Sequence, residues 1–347
     1  MQEEIIIVGG GLSGLTLAYL LTKANKKFVI LEASSRLGGR IQTVKGNLET
    51  PLELGATWFS DQHPNLLALI EELQLKRYPQ FSKGISLFET KSFEPPQRFF
   101  VPESDDPSYR LVGGTQVLID ILGSKLDPAC IKLDTKVTAV KATADHTTVY
   151  CASGDSLQCD KLVFCLPPQL VTQIEFSPEL PTALTTVLPT VQTWMAGSIK
   201  FALEYDRPFW REEGYSGMLF SHAGIVTEMY DHTNFEENKF GFTGFLNGGA
   251  VNYSYDLRKE LVLKQLAAYL GNQILNPVSY HDKIWDDEFV QSGSQSIHRP
   301  HQNNGHPTLQ QSYMNGKVLF SGTESATVHP GYMEGAVISA KRIFERL

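Results

Sequence analysis

An α/β fold is predicted: a Rossmann-like domain into which a second, α+β domain carrying a mostly antiparallel sheet is interleaved. Three features of the sequence carry this expectation. Its first 31 residues read strand, glycine turn, helix, strand, which is a βαβ unit. Between residues 171 and 287 the pattern changes to alternating strands with one clear helix. From residue 318 the chain returns to a buried strand, a loop and a helix. A length of 347 residues predicts roughly two domains. No internal repeat or low-complexity linker divides the sequence, so the second domain is woven into the first.

Ile5-Ile6-Ile7-Val8 is a continuous apolar run, as expected of a parallel strand buried on both faces. After the glycines, Leu12, Leu15, Ala18, Tyr19 and Thr22 form a helical stripe that ends near Asn25, and Phe28-Val29-Ile30-Leu31 is the second strand. A helix starts at Pro64, which the first turn tolerates, with the stripe Leu66, Leu69, Ile70, Leu73. Residues 81–107 are rich in aromatics and prolines and show weak periodicity. A helix over 115–126 follows Gly113-Gly114. Short strands are expected at 137–141, 147–151 and 161–165, with Ser153-Gly154-Asp155 as a turn and Leu166-Pro167-Pro168 as a stop. Strands at 198–205 and 242–246, a helix over 256–270, a strand at 318–320 and a helix over 331–346 complete the pattern.

Composition excludes several classes. With 42% hydrophobic and 20% charged residues the chain is globular. Thirty Lys and Arg against 38 Asp and Glu leave a net charge of −8, which argues against nucleic-acid partners. No apolar run is long enough for a transmembrane helix, and the acidic start Met1-Gln2-Glu3-Glu4 is unlike a secretory signal. Cys130, Cys151, Cys159 and Cys165 form no CxxC pair and read as reduced thiols, so a cytoplasmic location is expected. No metal site is expected: His301, His306 and His329 fit no zinc spacing.

Gly9-Gly10-Gly11-Leu12-Ser13-Gly14 fits GxGxxG, with Gly9 for the tight turn, Gly11 for approach of a pyrophosphate and Gly14 for close helix packing. Alone the pattern is weak. Here it follows a strand, opens a helix, and is followed after the second strand by Glu32, where a carboxylate accepts bonds from an adenosine ribose. Arg36-Leu37-Gly38-Gly39-Arg40 adds a second glycine pair. It suits a cofactor lying extended through the domain, with Arg40 able to neutralise pyrophosphate and Arg36 either doing so or solvated at the surface.

These residues resemble the flavin-containing amine oxidases, the monoamine and polyamine oxidase superfamily. The likeness spans nearly the whole chain. It includes Glu53-Leu54-Gly55-Ala56-Thr57-Trp58, Val112-Gly113-Gly114, Leu166-Pro167-Pro168, Ile199-Lys200 with Pro208-Phe209-Trp210, Gly322-Thr323-Glu324 and Gly331-Tyr332-Met333-Glu334-Gly335-Ala336. The resemblance implies an FAD-binding domain over 1–60, 110–180 and 288–347, and a substrate domain over 61–109 and 181–287. By it, Gly9, Gly11, Ser13, Gly14, Glu32, Arg36, Gly39 and Arg40 belong to the FAD site. Gly55, Ala56 and Thr57 pass the flavin, Val137 contacts the adenine side through its backbone, and Trp285 lies against the isoalloxazine. Gly322 and Glu324 serve the ribityl or phosphate region, and the Met333 amide hydrogen-bonds the flavin ring. A helix opening there stabilises negative charge on the pyrimidine end. Read as residues alone, the alternative for Glu324 is a helix cap and for Trp285 ordinary core packing.

Lys200 lies in an otherwise largely apolar strand, so it is either an edge charge or a placed group. The resemblance makes it catalytic: it holds a water near flavin N5 and favours reaction with dioxygen. Tyr332 matches one of two aromatic walls that guide an amine to the flavin. The other wall is missing, since Gln295 or Ser296 stands where members often carry an aromatic. A polar wall there suits a hydroxylated, carboxylated or polyamine substrate. Arg77, Arg98 and Arg299 are conceivable carboxylate partners but read better as surface residues, and His329 is a conceivable pocket wall. No cysteine lies beyond Cys165, so FAD is expected to be non-covalent. The expected reaction is oxidation of a small-molecule amine or amino acid to the imine by hydride transfer, with dioxygen reduced to hydrogen peroxide. The alternatives are a related FAD-dependent desaturase or dehydrogenase, or a flavin-binding protein without turnover. The chain is shorter than typical members and closes on the flavin-contacting helix, with no membrane anchor expected after Leu347.

Overall fold

The computed structural model describes residues 2–91, 93–290 and 299–347. Gln295 and Ser296, which stand where members often carry the second aromatic wall, lie outside the described residues.

A nine-stranded sheet forms the first layer. Its main path runs Glu175–Ser177, Val137–Ala142, Thr147–Cys151, Ser156–Phe164, Gln2–Val8, Phe28–Leu31 and Ile131–Lys132. The centre is parallel: Gln2–Val8 pairs with Phe28–Leu31 on one side and Ser156–Phe164 on the other. Ser156–Phe164 begins five residues before the expected strand and has two jobs. Its first half pairs antiparallel with Thr147–Cys151, and its last three residues pair parallel with Val318–Phe320. Both faces are covered, as the unbroken apolar run requires. Ile5 and Ile7 face a core shared with Leu15, Ala18, Val337 and Ala340, while Ile6 and Val8 face a second core with Val149, Leu162 and Phe320.

The first helix, Leu12–Lys23, buries nearly all of its first two turns. It ends where Asn25 takes a left-handed backbone (φ 54°), a conformation that asparagine tolerates. The helix Pro64–Glu72 opens on the expected proline. Its orphan amides are met from afar: the Glu334 carboxylate accepts from Asn65 N (3.1 Å) and Leu66 N (2.7 Å). An acidic residue in the first turn of the last helix, Met333–Phe344, thus caps another helix.

The second layer is a seven-stranded sheet in the order Ser279–Ile284, Ile199–Tyr205, Phe240–Leu246, Val226–Asp231, Tyr215–Ser221, Gly84–Glu89, Gln97–Val101. It is mostly antiparallel, with one parallel pairing between Tyr215–Ser221 and Gly84–Glu89. Residues 84–101 therefore contribute two strands where periodicity was weak. The reason is position: Gln97–Val101 is an outer strand with four of its five residues exposed, so no alternation is imposed on it. One face of this sheet, with Phe201, Leu203, Met229 and Phe242, packs on Val262 and Leu266 of the helix Tyr255–Leu270. The other face looks toward residues 52–57. Ala202 clusters with Leu52 and Leu54, Thr243 donates to the Glu53 carbonyl (3.1 Å), and Lys200 reaches Gly55. All four cysteines are free thiols. Among the described residues no helix is long and apolar enough to cross a membrane.

Candidate active site

The glycine motif is explained residue by residue. Gly9 has φ 110°, and a Cβ there would stand 2.7 Å from the Cys165 carbonyl oxygen. A Cβ on Gly14 would collide with the Gly9 carbonyl, so the helix rests directly on the turn. Gly11 differs: its nearest neighbour for an added Cβ is Gly39 Cα at 3.9 Å. Gly11 is also the N-cap, with no side-chain cap and no acidic residue in the first turn, so the amides and positive end of the helix are unmatched. Ser13 is turned away from that opening; its hydroxyl lies 2.8 Å from Ser321 Oγ and accepts from the Gly322 amide (3.0 Å).

Glu32 is buried and tied to the loop. Gly10 N donates to one oxygen (2.6 Å), and Ser34 N and Oγ donate to the other (2.9 and 2.7 Å). Arg36 spends its guanidinium on the carbonyls of Leu37, Gly39 and Ile41, which organises the Gly38-Gly39 turn. Burial lowers its pKa, while Glu32 opposes that. Val137 is buried at the start of its strand, two residues after Thr135, whose amide donates to the Glu32 carbonyl (2.8 Å).

Glu324 is the least satisfied acid in the region. It is 1% exposed, and Arg40 Nη1 approaches its Oε1 to 2.7 Å. That approach is not aligned as a hydrogen bond, and neither carboxylate oxygen has a hydrogen bond among the described residues. Arg40 also donates to the Trp194 carbonyl (3.3 Å). Gly322, with φ 93°, turns the chain into this position. Met333 begins the last helix, and Tyr332 is its N-cap without a side-chain cap bond. The Tyr332 ring is 42% exposed and lies 5.8 Å from His301, whose ring stacks on Trp194 at 4.1 Å. His63 and His329 stand edge to face 5.0 Å apart beside it.

Lys200 is the buried cation of the site, 2% exposed. Its Nζ donates to the Gly55 carbonyl (2.7 Å) and to Thr57 Oγ1, and lies 4.8 Å from the centre of the Trp58 ring. Burial drives its pKa from 10.5 down to about 7; Glu53 works against that and Arg110 with it. Glu53 is itself buried, which raises its pKa, while the charge of Lys200 and bonds from Thr115 N and Thr43 Oγ1 lower it. Gly55 has no space for a side chain, since a Cβ would press on Arg40 O and Gln42 N, and Ala56 N donates to Arg40 O (3.0 Å). Trp285 is buried, donates Nε1 to the Leu54 carbonyl (2.7 Å), and carries Lys283 Nζ over its ring at 4.4 Å.

Two groups therefore converge on the segment 53–58: Lys200 from the second sheet with Trp285 just past its strand Ser279–Ile284, and Arg40 from the loop that follows the strand Phe28–Leu31. Of the conceivable carboxylate partners, Arg77 pairs with Asp61 (2.7 Å), and Arg98 and Arg299 are exposed. Sequence reasoning missed Arg110, a buried arginine that donates to the Thr233 carbonyl (3.0 Å). It also missed the aromatic group Phe220, Tyr230 and Phe245 around Trp58. These lie on alternate positions of strands, and only pairing brings them together.

The comparisons agree with this arrangement. Residues 12–90 and 85–343 match the family described as flavin containing amine oxidoreductase. A probable flavin-containing monoamine oxidase A of Dictyostelium discoideum is 24% identical, over 99% of this chain and 97% of that protein. Putrescine oxidase of Kocuria rosea is 23% identical over 83% of each. Among solved structures, a putrescine oxidase superposes with TM-score 0.86 at 21% identity, covering 99% of this chain and 98% of that one. Cyclohexylamine oxidase from Brevibacterium oxydans gives 0.85 at 19% identity, covering 99% of each. The motifs in order along the chain, the two-sheet architecture and the family match together place this chain in the flavin-containing amine oxidoreductase family, as an amine oxidase-like flavoenzyme.

Proposed function

We propose that this protein binds FAD non-covalently and oxidises a small amine to its imine, with dioxygen as the final acceptor and hydrogen peroxide as product. The observation that carries the reading is Lys200, a cation buried against Gly55 and Thr57 on the strand whose face looks toward residues 52–57.

The residues present fit the cofactor. The open side of Gly11 and the uncapped helix behind it suit a pyrophosphate. Glu32 keeps one lone pair free, on the oxygen that takes only the Gly10 amide, for a ribose hydroxyl, and would repel a 2′-phosphate. The Arg40 ion pair offsets part of the cost of burying Glu324, and its two oxygens, which take no hydrogen bond among the described residues, suit donors such as ribityl hydroxyls or water. Val137, Gly39, Arg40, Ala56, Gly322 and the Met333 amide complete the proposed contacts, with Trp285 beside the ring system. Bound flavin supplies the two-electron acceptor for a hydride from the amine α-carbon. Lys200, near half-ionised at neutral pH, offers a cation where negative charge develops on dioxygen and a proton to a held water. Tyr332, exposed at the mouth of the last helix, orients the incoming amine.

Two measurements test this. Anaerobic addition of an amine and amino-acid panel should bleach the flavin absorbance with at least one member; silence across the panel would favour a flavin protein without amine turnover. Denaturation in acid or guanidinium should release all of the flavin to the filtrate, because the chain has no cysteine after Cys165 to form a thioether from the C-terminal half.

A further inference from the structure

The ring that faces the Lys200 ammonium is held from outside the site. Trp58 is half-buried and follows directly on Thr57, whose hydroxyl accepts from Lys200 Nζ. Its ring centre lies 4.8 Å from that nitrogen, close enough for an aromatic face to attract a cation, and Phe245 adds a second ring at 5.6 Å. An indole N–H taken out of water needs an acceptor. Trp58 finds one in Gln80, donating to its Oε1 at 2.8 Å.

The rest of the Gln80 amide is spent on fixed points. Nε2 donates to the Asp231 carbonyl at 2.7 Å and to the Phe81 carbonyl at 3.1 Å. Its backbone N–H donates to the Ser108 carbonyl, and Phe59, next to Trp58, is bridged to Tyr109, so residues 59 and 80 are set side by side by one stretch of chain. Asp231 is a firm anchor: its buried carboxylate takes two bonds from Arg211 (2.7 and 2.8 Å) and one from Trp210 Nε1 (2.8 Å). Turning the indole away from Lys200 would break its bond to Gln80. The charges around Lys200 are Glu53 on the segment 52–57, Arg110, His232 just past Val226–Asp231, and, on the same sheet face by register, Lys283 and Glu228. Burial keeps His232 neutral, and Lys283 pairs with Asp287 at 3.2 Å. Gln80 is uncharged, so replacing it leaves all of these charges in place and changes only how the indole is held.

We propose that Gln80 is a positioning residue for Lys200: it holds the Trp58 ring on the ammonium and so favours the charged form of Lys200 when reduced flavin meets dioxygen. The hold on Lys200 stands on the geometry alone, while its consequence for dioxygen rests on the reaction proposed above.

The test follows Lys200 itself in the flavin-free protein. With lysine labelled at Cε for NMR, the Lys200 resonance is the one absent from Lys200→Met, and its shift against pH gives the midpoint. Gln80→Met should lower that midpoint by about half to one pH unit, the share that a half-buried ring supplies to a cation. Trp58→Leu should lower it at least as far, and Gln80→Met on that background should add nothing, because Gln80 acts through the ring. A loss of stability alone moves no midpoint. An unmoved midpoint in either single variant, or the same shift from Gln80→Met with and without Trp58, would overturn the assignment. In the flavin-loaded enzyme, the pH midpoint of the dioxygen reaction should move with the resonance. A resonance that moves while the dioxygen reaction does not would overturn the role given to Lys200 and leave the hold of Gln80 on it intact.

Discussion

Lys200→Met is expected to slow reaction of the reduced enzyme with dioxygen about 100- to 1,000-fold, the range for removing one preorganised charge from a desolvated site. Reduction by substrate should change far less. Stopped-flow measurement of the two half-reactions separates these effects, and equal slowing of both would remove the role assigned to Lys200. The pH dependence has a definite sign. Lys200 has a pKa pushed down to about 7, chiefly by burial, so its cationic fraction falls as pH rises through that value. The oxidative rate constant of the wild type should fall with it, while that of Lys200→Met should be low and flat. Glu53 is the charge that opposes the depression. Glu53→Gln should therefore move the midpoint to lower pH. Linkage gives a second consequence. Between about pH 7 and 10.5 the unfolded chain holds a proton on Lys200 that the folded chain lacks, so this residue's contribution to stability rises with pH over that window. The difference in unfolding free energy between wild type and Lys200→Met, followed across pH, checks it.

The parts legible in the sequence were those written in contiguous residues. Ile5 to Val8 are apolar on both faces because the strand is covered on both, and the glycines at 9, 11 and 14 must be glycine for three different local reasons. The second sheet was harder to read. Its strand 97–101 is exposed at the outer end, and the strand 84–89 gains its burial from a parallel partner more than 100 residues away. The site shows the same division. Lys200 stood out as a charge in an apolar strand. Gln80 did not, since a glutamine in a loop reads as an ordinary polar position until its side chain bridges Trp58 and the Asp231 carbonyl. Arg110 was equally silent, because its burial depends on carbonyls of residues 232 and 233. Glu334 is the reverse case: it sits in a motif that resembles a cofactor contact, yet its carboxylate is fully engaged in capping the helix at Pro64.

Gly11→Val is expected to leave the fold intact and reduce flavin affinity at least about 100-fold. The contrast between glycines carries the argument. At Gly11 the backbone is extended (φ −78°, ψ −178°), which any residue adopts, and an added Cβ meets nothing closer than 3.9 Å. Gly39 Cα and the Gly38 carbonyl stand about 4 Å to one side, and on the open side such a side chain would displace a ligand lying over the helix N-terminus, where the bare backbone is what lets a pyrophosphate approach. At Gly14 a Cβ meets the Gly9 carbonyl, so Gly14→Val should damage folding itself, by several kcal/mol, because the helix would have to leave the turn. Circular dichroism and thermal unfolding of the flavin-free proteins, with flavin content after reconstitution, separate the two. A Gly11→Val protein with full flavin content would place the dinucleotide elsewhere. One that unfolds like Gly14→Val would mean that the space at Gly11 is needed by the chain, and the glycine motif would lose its strongest argument for a ligand. The expected outcome, a folded and colourless protein, requires that the space beside Gly11 belong to a bound molecule and not to the polypeptide.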